Sequence, residues 1–280
     1  MVPGKLMRYT AFATHPSGGN QAGVWVGNEL PSSQEMQAIA KQVGYSETAF
    51  ITPATGFART VRYYSPEMEV TFCGHATIAS AVALGNTESP GTYTFSTAVG
   101  DIPVSVTSEN GQLKASLTSV APKIAVLADD LLESALQALG WSLADLNPAI
   151  PPVRAFAGAW HLVLAVDQLE RLNQLDYDFD ALKSLMEQED FTTLQLVWRE
   201  TEQVFHSRNP FPVGGVFEDP ATGSAAAALG GYLREKGLIQ APAKILIHQG
   251  EAMGRPGRLE VEIPESGGIV VSGFAVEIAE

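Results

Sequence analysis

Cys73-Gly74-His75-Ala76-Thr77-Ile78-Ala79-Ser80-Ala81 and Asp219-Pro220-Ala221-Thr222-Gly223-Ser224-Ala225-Ala226-Ala227 decide the reading of this chain. In each, a strand-like run leads through a Gly/Thr-containing turn into an Ala-rich helix. The first helix is predicted over Ala76 to Leu84 with Gly85 closing it. The second is predicted from Ser224 to about Lys236, closed by Gly237. Self-similarity of this kind points to an internal duplication; two unrelated helices with small-residue starts are the alternative.

The chemistry of such a start is specific. The first turn of a helix carries backbone N–H groups without an intrahelical partner, together with the positive end of the helix dipole, so it attracts anions. Gly74 and Gly223 would let a ligand approach the backbone closely. If the two halves face each other, two such termini could hold one carboxylated substrate from both sides.

Outward from these stretches, short strand-like runs at 7–14 and 23–27 flank the turn-forming Ser17-Gly18-Gly19-Asn20. Met36, Ile39, Ala40 and Val43 recur at helical spacing after Ser32 and Ser33, with Gly44 placed to end that helix. Strands are predicted near 45–51, 59–64, 67–73, 91–99, 101–107 and 112–119. Pro122 marks a boundary. Beyond it, helices near 128–139 and 178–189 alternate with strands near 153–166, 192–198 and 203–208, and strands near 244–249, 257–263 and 269–278 close the chain.

Length and composition bound the function. The chain has 280 residues, 45% of them hydrophobic and 17% charged, with a formal net charge of −14. It holds no run of apolar residues long enough for a spanning helix, and its first residues lack a secretory signal, so a soluble cytoplasmic protein is expected. The acidic balance argues against nucleic acid or an anionic membrane as partner, since both need a basic footprint. A small anionic substrate stays compatible, because a pocket's local field can oppose the overall charge. Cys73 is the one cysteine, which excludes an intramolecular disulfide and a cysteine-rich zinc site.

Glu47, in Tyr45-Ser46-Glu47-Thr48-Ala49-Phe50-Ile51, shares a strand face with Tyr45, Ala49 and Ile51. On that apolar face its carboxylate would be partly desolvated, which suits a general acid/base; at a sheet edge it would be an ordinary solvated glutamate. Asp219 precedes Pro220 and could either cap the coming turn or serve the site. His75 could orient or protonate a substrate, or be a hydrogen-bonded structural histidine. Cys73 ends a run whose Met68, Val70 and Phe72 share one face, which predicts a small buried residue. His15, His161, His206 and His248 show no ligand spacing, so no metal is expected. No GxxxxGK[ST] loop or GxGxxG fingerprint occurs, which argues against nucleotide-dependent chemistry.

Taken together, several segments resemble the phenazine-biosynthesis PhzF-like proteins, which share the diaminopimelate epimerase fold. They are Gly19-Asn20-Gln21-Ala22-Gly23-Val24, Ser46-Glu47-Thr48-Ala49-Phe50, Cys73-Gly74-His75-Ala76-Thr77, Glu218-Asp219-Pro220-Ala221-Thr222-Gly223-Ser224-Ala225, Gln249-Gly250 with Gly254-Arg255-Pro256, and Ser272-Gly273-Phe274-Ala275-Val276. All six stand in the family's order. The resemblance implies an α+β chain of two pseudo-symmetric domains, each a β-barrel-like half around a central helix, with the active site in the cleft between them. The halves would be residues 1–120 and 121–266, with a last strand at about 267–280 returning to the first.

The resemblance also implies that Glu47 is the proton shuttle, with Asp219 and His75 as its catalytic partners. Asn20, Ser46, Cys73, Gly74, Gly223 and Ser224 would lie against the substrate. It implies a homodimer that needs no cofactor or metal. Two departures matter. Cys73 stands where the epimerase branch has a catalytic cysteine, but the Asp219 region replaces that cysteine's partner, so a two-thiol mechanism is untenable, while a Glu47–Asp219 or a Glu47–Cys73 pair stays open. Residues 206–217 lack the Arg-x-Phe-x-Pro spacing of other members, so the phenazine-branch substrate is not carried over.

Three functions follow. The first is a cofactor-independent isomerase that moves a proton on a small carboxylated metabolite through Glu47. The second is a two-base epimerase or racemase of an amino or hydroxy acid. The third is a metabolite-binding protein that has kept the fold and lost the chemistry.

Overall fold

The computed structural model describes residues 2–279. The chain divides into two compact units, Met1–Thr118 with Ser272–Glu280, and Ser119–Val271.

The first unit contains β1 (Gly4–Ala11), β2 (Asn20–Gly27), α1 (Ser33–Val43), β3 (Glu47–Pro53), β4 (Ala58–Tyr64), the two-residue β5 (Glu69–Val70), α2 (Gly74–Thr87), β6 (Gly91–Thr97), β7 (Gly100–Glu109) and β8 (Gln112–Thr118). The second contains β9 (Lys123–Ala125), α3 (Asp129–Leu139), β10 (Val153–Phe156), β11 (Trp160–Val166), α4 (Leu169–Asn173), α5 (Phe179–Gln188), β12 (Phe191–Arg199), β13 (Val204–Phe211), β14 (Val216–Asp219), α6 (Gly223–Glu235), β15 (Ala243–Gln249) and β16 (Gly257–Ile263). A last strand, β17 (Val270–Glu277), pairs with β1 and β8.

In the first unit β1, β2, β3, β4, β6, β7, β8 and β17 pair in succession and close on themselves, an eight-stranded barrel without an edge. α2 packs against β1, β2, β3, β7 and β8 and is buried continuously from His75 to Gly85. In the second unit β9, β10, β11, β12, β13, β15 and β16 pair in succession around α6, which is buried from Ala225 to Leu233.

The two units repeat one topology. In each, an antiparallel pair is followed by a parallel pair, then by an antiparallel one (β1–β2–β3–β4 and β10–β11–β12–β13). A short side strand (β5, β14), the central helix and a further parallel pairing (β4–β6, β13–β15) follow. The internal duplication suggested by the two Ala-rich segments is therefore a property of the whole fold.

Strand alternation sorts the side chains. Phe50 packs under α1 with Trp25, Met36, Ala40 and Tyr64, so Glu47, Ala49 and Ile51 take the opposite face. In the second unit Leu162, Leu164, Leu194 and Leu196 pack outward against α3, α4 and α5, which leaves His161 and Thr193 on the inner face. Among the described residues no helix is long and apolar enough to cross a membrane.

Several expected elements differ. α2 runs through Gly85 to Thr87. This glycine is present for packing, since a Cβ there would lie 2.9 Å from both Val106 and Leu113. The strand expected at 67–73 shrinks to two residues; Met68 is exposed, and Cys73 is the N-cap of α2. The run 153–166 is a hairpin of two strands broken at Gly158, which has φ +115°.

Candidate active site

α1 and α5 start with side-chain caps, from Ser32 and Asp178. The two central helices do not. Neither Cys73 nor Thr222 supplies a side-chain cap, and neither helix has an acidic residue in its first turn. Backbone donors that the caps of α1 and α5 satisfy are thus left for another acceptor.

In the first unit the fold brings six sequence-predicted residues to the start of α2. His75, buried, is the centre. The side-chain nitrogen of Asn20, at the start of β2, donates to His75 Nδ1 at 3.2 Å. With Nδ1 accepting, the neutral imidazole carries its proton on Nε2. That Nε2–H faces Ser46 Oγ at 3.2 Å and Glu47 Oε2 at 3.3 Å. Cys73 Sγ lies 3.4 Å from Nδ1 and 3.8 Å from Nε2, beside the ring. Glu47 leads β3 with its side chain 16% exposed, open enough to meet a ligand yet held by a buried donor. A Cβ on Gly74 would meet nothing within 4 Å, so its backbone is approachable.

The turn is braced from below. Thr77 Oγ1 donates to the Cys73 carbonyl at 2.7 Å and pairs with the Tyr63 hydroxyl at 2.7 Å. Burial pushes the Tyr63 phenol well above its ordinary pKa, so it stays protonated. Glu47, Cys73 and His75 have ligand atoms all within 4.8 Å of one another, the one such metal-capable trio among the described residues. Both ring nitrogens of His75 are engaged by Asn20 and by Ser46 and Glu47, so a metal would have to displace those bonds. The arrangement as it stands is a carboxylate held against an imidazole N–H.

In the second unit Asp219 ends β14, and Asp219 Oδ2 accepts from Thr222 Oγ1 at 2.5 Å. Gln249, which the sequence reading did not single out as a site residue, locks this turn. Its Nε2 donates to the Asp219 carbonyl at 2.8 Å and to Thr222 Oγ1 at 3.0 Å, and its Oε1 accepts from Thr222 N at 3.0 Å. Gly250 must be glycine: φ is +78°, and a Cβ would sit 2.4 Å from the Arg255 carbonyl. Its neighbour Glu218 is held by Arg208, whose Nε donates to Glu218 Oε1 at 3.0 Å and whose Nη2 donates to Oε2 at 2.5 Å.

Ser224, the second residue of α6, pairs with His161 Nε2 at 3.1 Å. His161 is fully buried, and desolvation lowers its pKa to about 4. It too escaped the sequence reading. The available signal is a lone polar residue in the apolar run Trp160-His161-Leu162-Val163-Leu164, which demands a buried partner. A separate hollow of about 830 Å³ is lined by α3 and α5 residues and by Arg154. It touches none of the candidate site residues, and Arg154 is already paired with Glu189 at 3.0 Å.

Fold and site define a duplicated barrel with a carboxylate, an imidazole and a thiol gathered at the start of a central helix. The family model described as "Phenazine biosynthesis-like protein" (PhzC-PhzF) matches residues 9–280, and the chain belongs to that family. It is 32% identical over 286 residues to the "Uncharacterized isomerase YfhB" of Bacillus subtilis (strain 168), covering 99% of this chain and 97% of the relative. Its structure is similar to that of the phenazine biosynthesis protein, PhzF family, of Bacillus anthracis, with a TM-score of 0.86 at 26% identity over 98% of each chain. A hydroxyproline epimerase from Agrobacterium vitis, solved with bound trans-4-hydroxy-L-proline, shares the fold. Its TM-score is 0.69 at 11% identity, covering 99% of this chain and 91% of that one. The diaminopimelate epimerase-like fold expected from the motifs is the fold of this chain.

Proposed function

We infer that this protein is an isomerase in which Glu47 removes a proton from a carbon of a small carboxylated substrate and returns it elsewhere on the same molecule. One observation carries the reading. The Glu47 carboxylate lies 3.3 Å from His75 Nε2, whose proton is fixed there by Asn20, at a buried helix start without a side-chain cap. A general base must be oriented and partly desolvated to be effective, and Glu47 is both. In this reading the uncapped N–H groups at the start of a central helix bind the substrate carboxylate and any developing negative charge, the preorganised electrostatics that carries much of catalysis. Asp219 orients the substrate's other polar groups. The reaction asks only for proton transfer and no cofactor, and we take the working form to be a homodimer. Relatives named isomerases and a fold neighbour with a bound amino acid support the reading.

A second reading, a two-base epimerase, draws on the Cys73 sulfur 3.4 Å from the His75 ring. Incubation with a metabolite pool in D₂O tests both. The expected result is a carboxylic acid that gains deuterium only with the enzyme. Glu47→Gln should abolish the gain while binding is kept; a Gln variant that still exchanges refutes the shuttle role. Cys73→Ala should leave exchange intact, and its loss would favour the thiol version.

A further inference from the structure

We propose that His161 is a positioning residue that turns the Ser224 hydroxyl into a hydrogen-bond acceptor. The substrate then meets Ser224 with an N–H or O–H donor, a hydroxyl or ammonium group carried beside its carboxylate. This rests on the reading that the start of α6 belongs to the substrate site.

The polarity follows from the atoms around the ring. His161 Nδ1 lies 3.2 Å from the Thr193 carbonyl and 2.9 Å from Thr193 Oγ1. A carbonyl oxygen only accepts. An unprotonated Nδ1 would set lone pair against lone pair in a fully buried place, at a cost no water relieves. Nδ1 therefore carries the proton and donates to Thr193. Asn209 Nδ2 also donates to Thr193 Oγ1, at 3.2 Å, so that oxygen has donors on both lone pairs.

A neutral imidazole has one N–H, which leaves Nε2 as an acceptor aimed at Ser224 Oγ, 3.1 Å away. Burial keeps the ring in this neutral form throughout the physiological range. The serine's single proton is thus committed inward, and its half-buried oxygen offers only lone pairs to a ligand.

The first unit has the same connection with the polarity reversed. There His75 is the second residue of α2, and Asn20, at the start of β2, donates to it. The ring that results presents a donor, Nε2–H. In the second unit Ser224 holds the second position of α6, His161 lies near the start of β11, and the group presented is an acceptor. The duplication has thus kept a helix-to-strand hydrogen bond while exchanging which end donates.

The experiment uses the full chain with ¹⁵N-labelled histidine. Long-range ¹H–¹⁵N spectra should show His161 with a protonated Nδ1 and an unprotonated Nε2, unchanged from pH 6 to pH 9. Ser224→Ala should shift Nε2 alone, and Ser224→Thr should restore it. Binding is then read by ligand-observed NMR with matched probes. These are 2-hydroxy- and 2-aminocyclohexanecarboxylate against their 2-methoxy and 2-trimethylammonio counterparts.

The wild type should favour the donor-bearing acids by about fivefold or more, the effect of one hydrogen bond, and Ser224→Ala should erase that preference. A proton found on Nε2 overturns the assigned polarity. Equal binding of the two probe sets by the wild type, or absence of binding, overturns the substrate class. Deuterium exchange by the wild type and its loss in Glu47→Gln are independent of both results, so the isomerase reading stands or fails separately.

Discussion

Asp219 owes its place to an ion pair one residue away, and breaking that pair has a calculable cost. The Glu218 side chain is 2% exposed and that of Arg208 11%. Both carboxylate oxygens accept from the guanidinium, and Arg208 Nη1 also donates to the Asn173 carbonyl at 3.1 Å. Arg208→Met would leave a carboxylate buried beside the apolar residues of α4 and β13 with no counter-charge. Removing one partner of a buried pair costs about 3–5 kcal/mol. The slight exposure of Arg208 places this case near ~3 kcal/mol, a large share of the 5–15 kcal/mol that holds a typical domain together. Replacing both members, Arg208→Met with Glu218→Leu, removes the stranded charge and leaves the Leu172 and Asn173 carbonyls without the Arg208 donor, about 1–2 kcal/mol. Urea denaturation at pH 7 reads both values as shifts in midpoint at constant slope. The reasoning is refuted if the single variant loses less than about 1 kcal/mol, or if the double variant is as unstable as the single.

Two further outcomes are expected. His161 has its pKa lowered to about 4 in the native protein against 6.5 when unfolded. Its neutral burial is therefore free of cost above pH 6.5, and stability is lost as pH falls from 6.5 towards 4, ~3 kcal/mol in all at about 1.4 kcal/mol per pH unit. His161→Gln should show a correspondingly flatter dependence over that window in denaturation curves, and a slope equal to wild type would remove His161 as its source. Gly85→Val would drive a branched side chain into Val106 and Leu113, where even a Cβ lies at 2.9 Å, and should cost about 1–3 kcal/mol of overpacking by calorimetry.

What the sequence revealed depended on how local the determinant was. Ser32 and the left-handed Gly44 flank α1 directly, and that helix follows its local signals closely. Gly85 misleads because its reason lies on β7 and β8, distant in sequence. The Met68–Phe72 alternation likewise promises a strand that pairs only at Glu69 and Val70. Asn20, Ser46, Glu47, Cys73 and His75 were legible through ordered motifs, and the fold gathers them around one imidazole. Gln249 and His161 act through long-range hydrogen bonds to Thr222 and Ser224, and no spacing rule announces such partners.

The last strand has a consequence for how the molecule is made. β17 is the one segment that seals β1 to β8, and it is translated after every residue of the second unit. On the ribosome the first unit must wait as an unsealed sheet with two bare edges, its apolar α2 already present, while the second unit gains all of its residues. Assembly therefore finishes in the reverse of the order in which the units emerge. A released chain truncated before Ser272 would hold every residue of the second unit and an open, aggregation-prone first one.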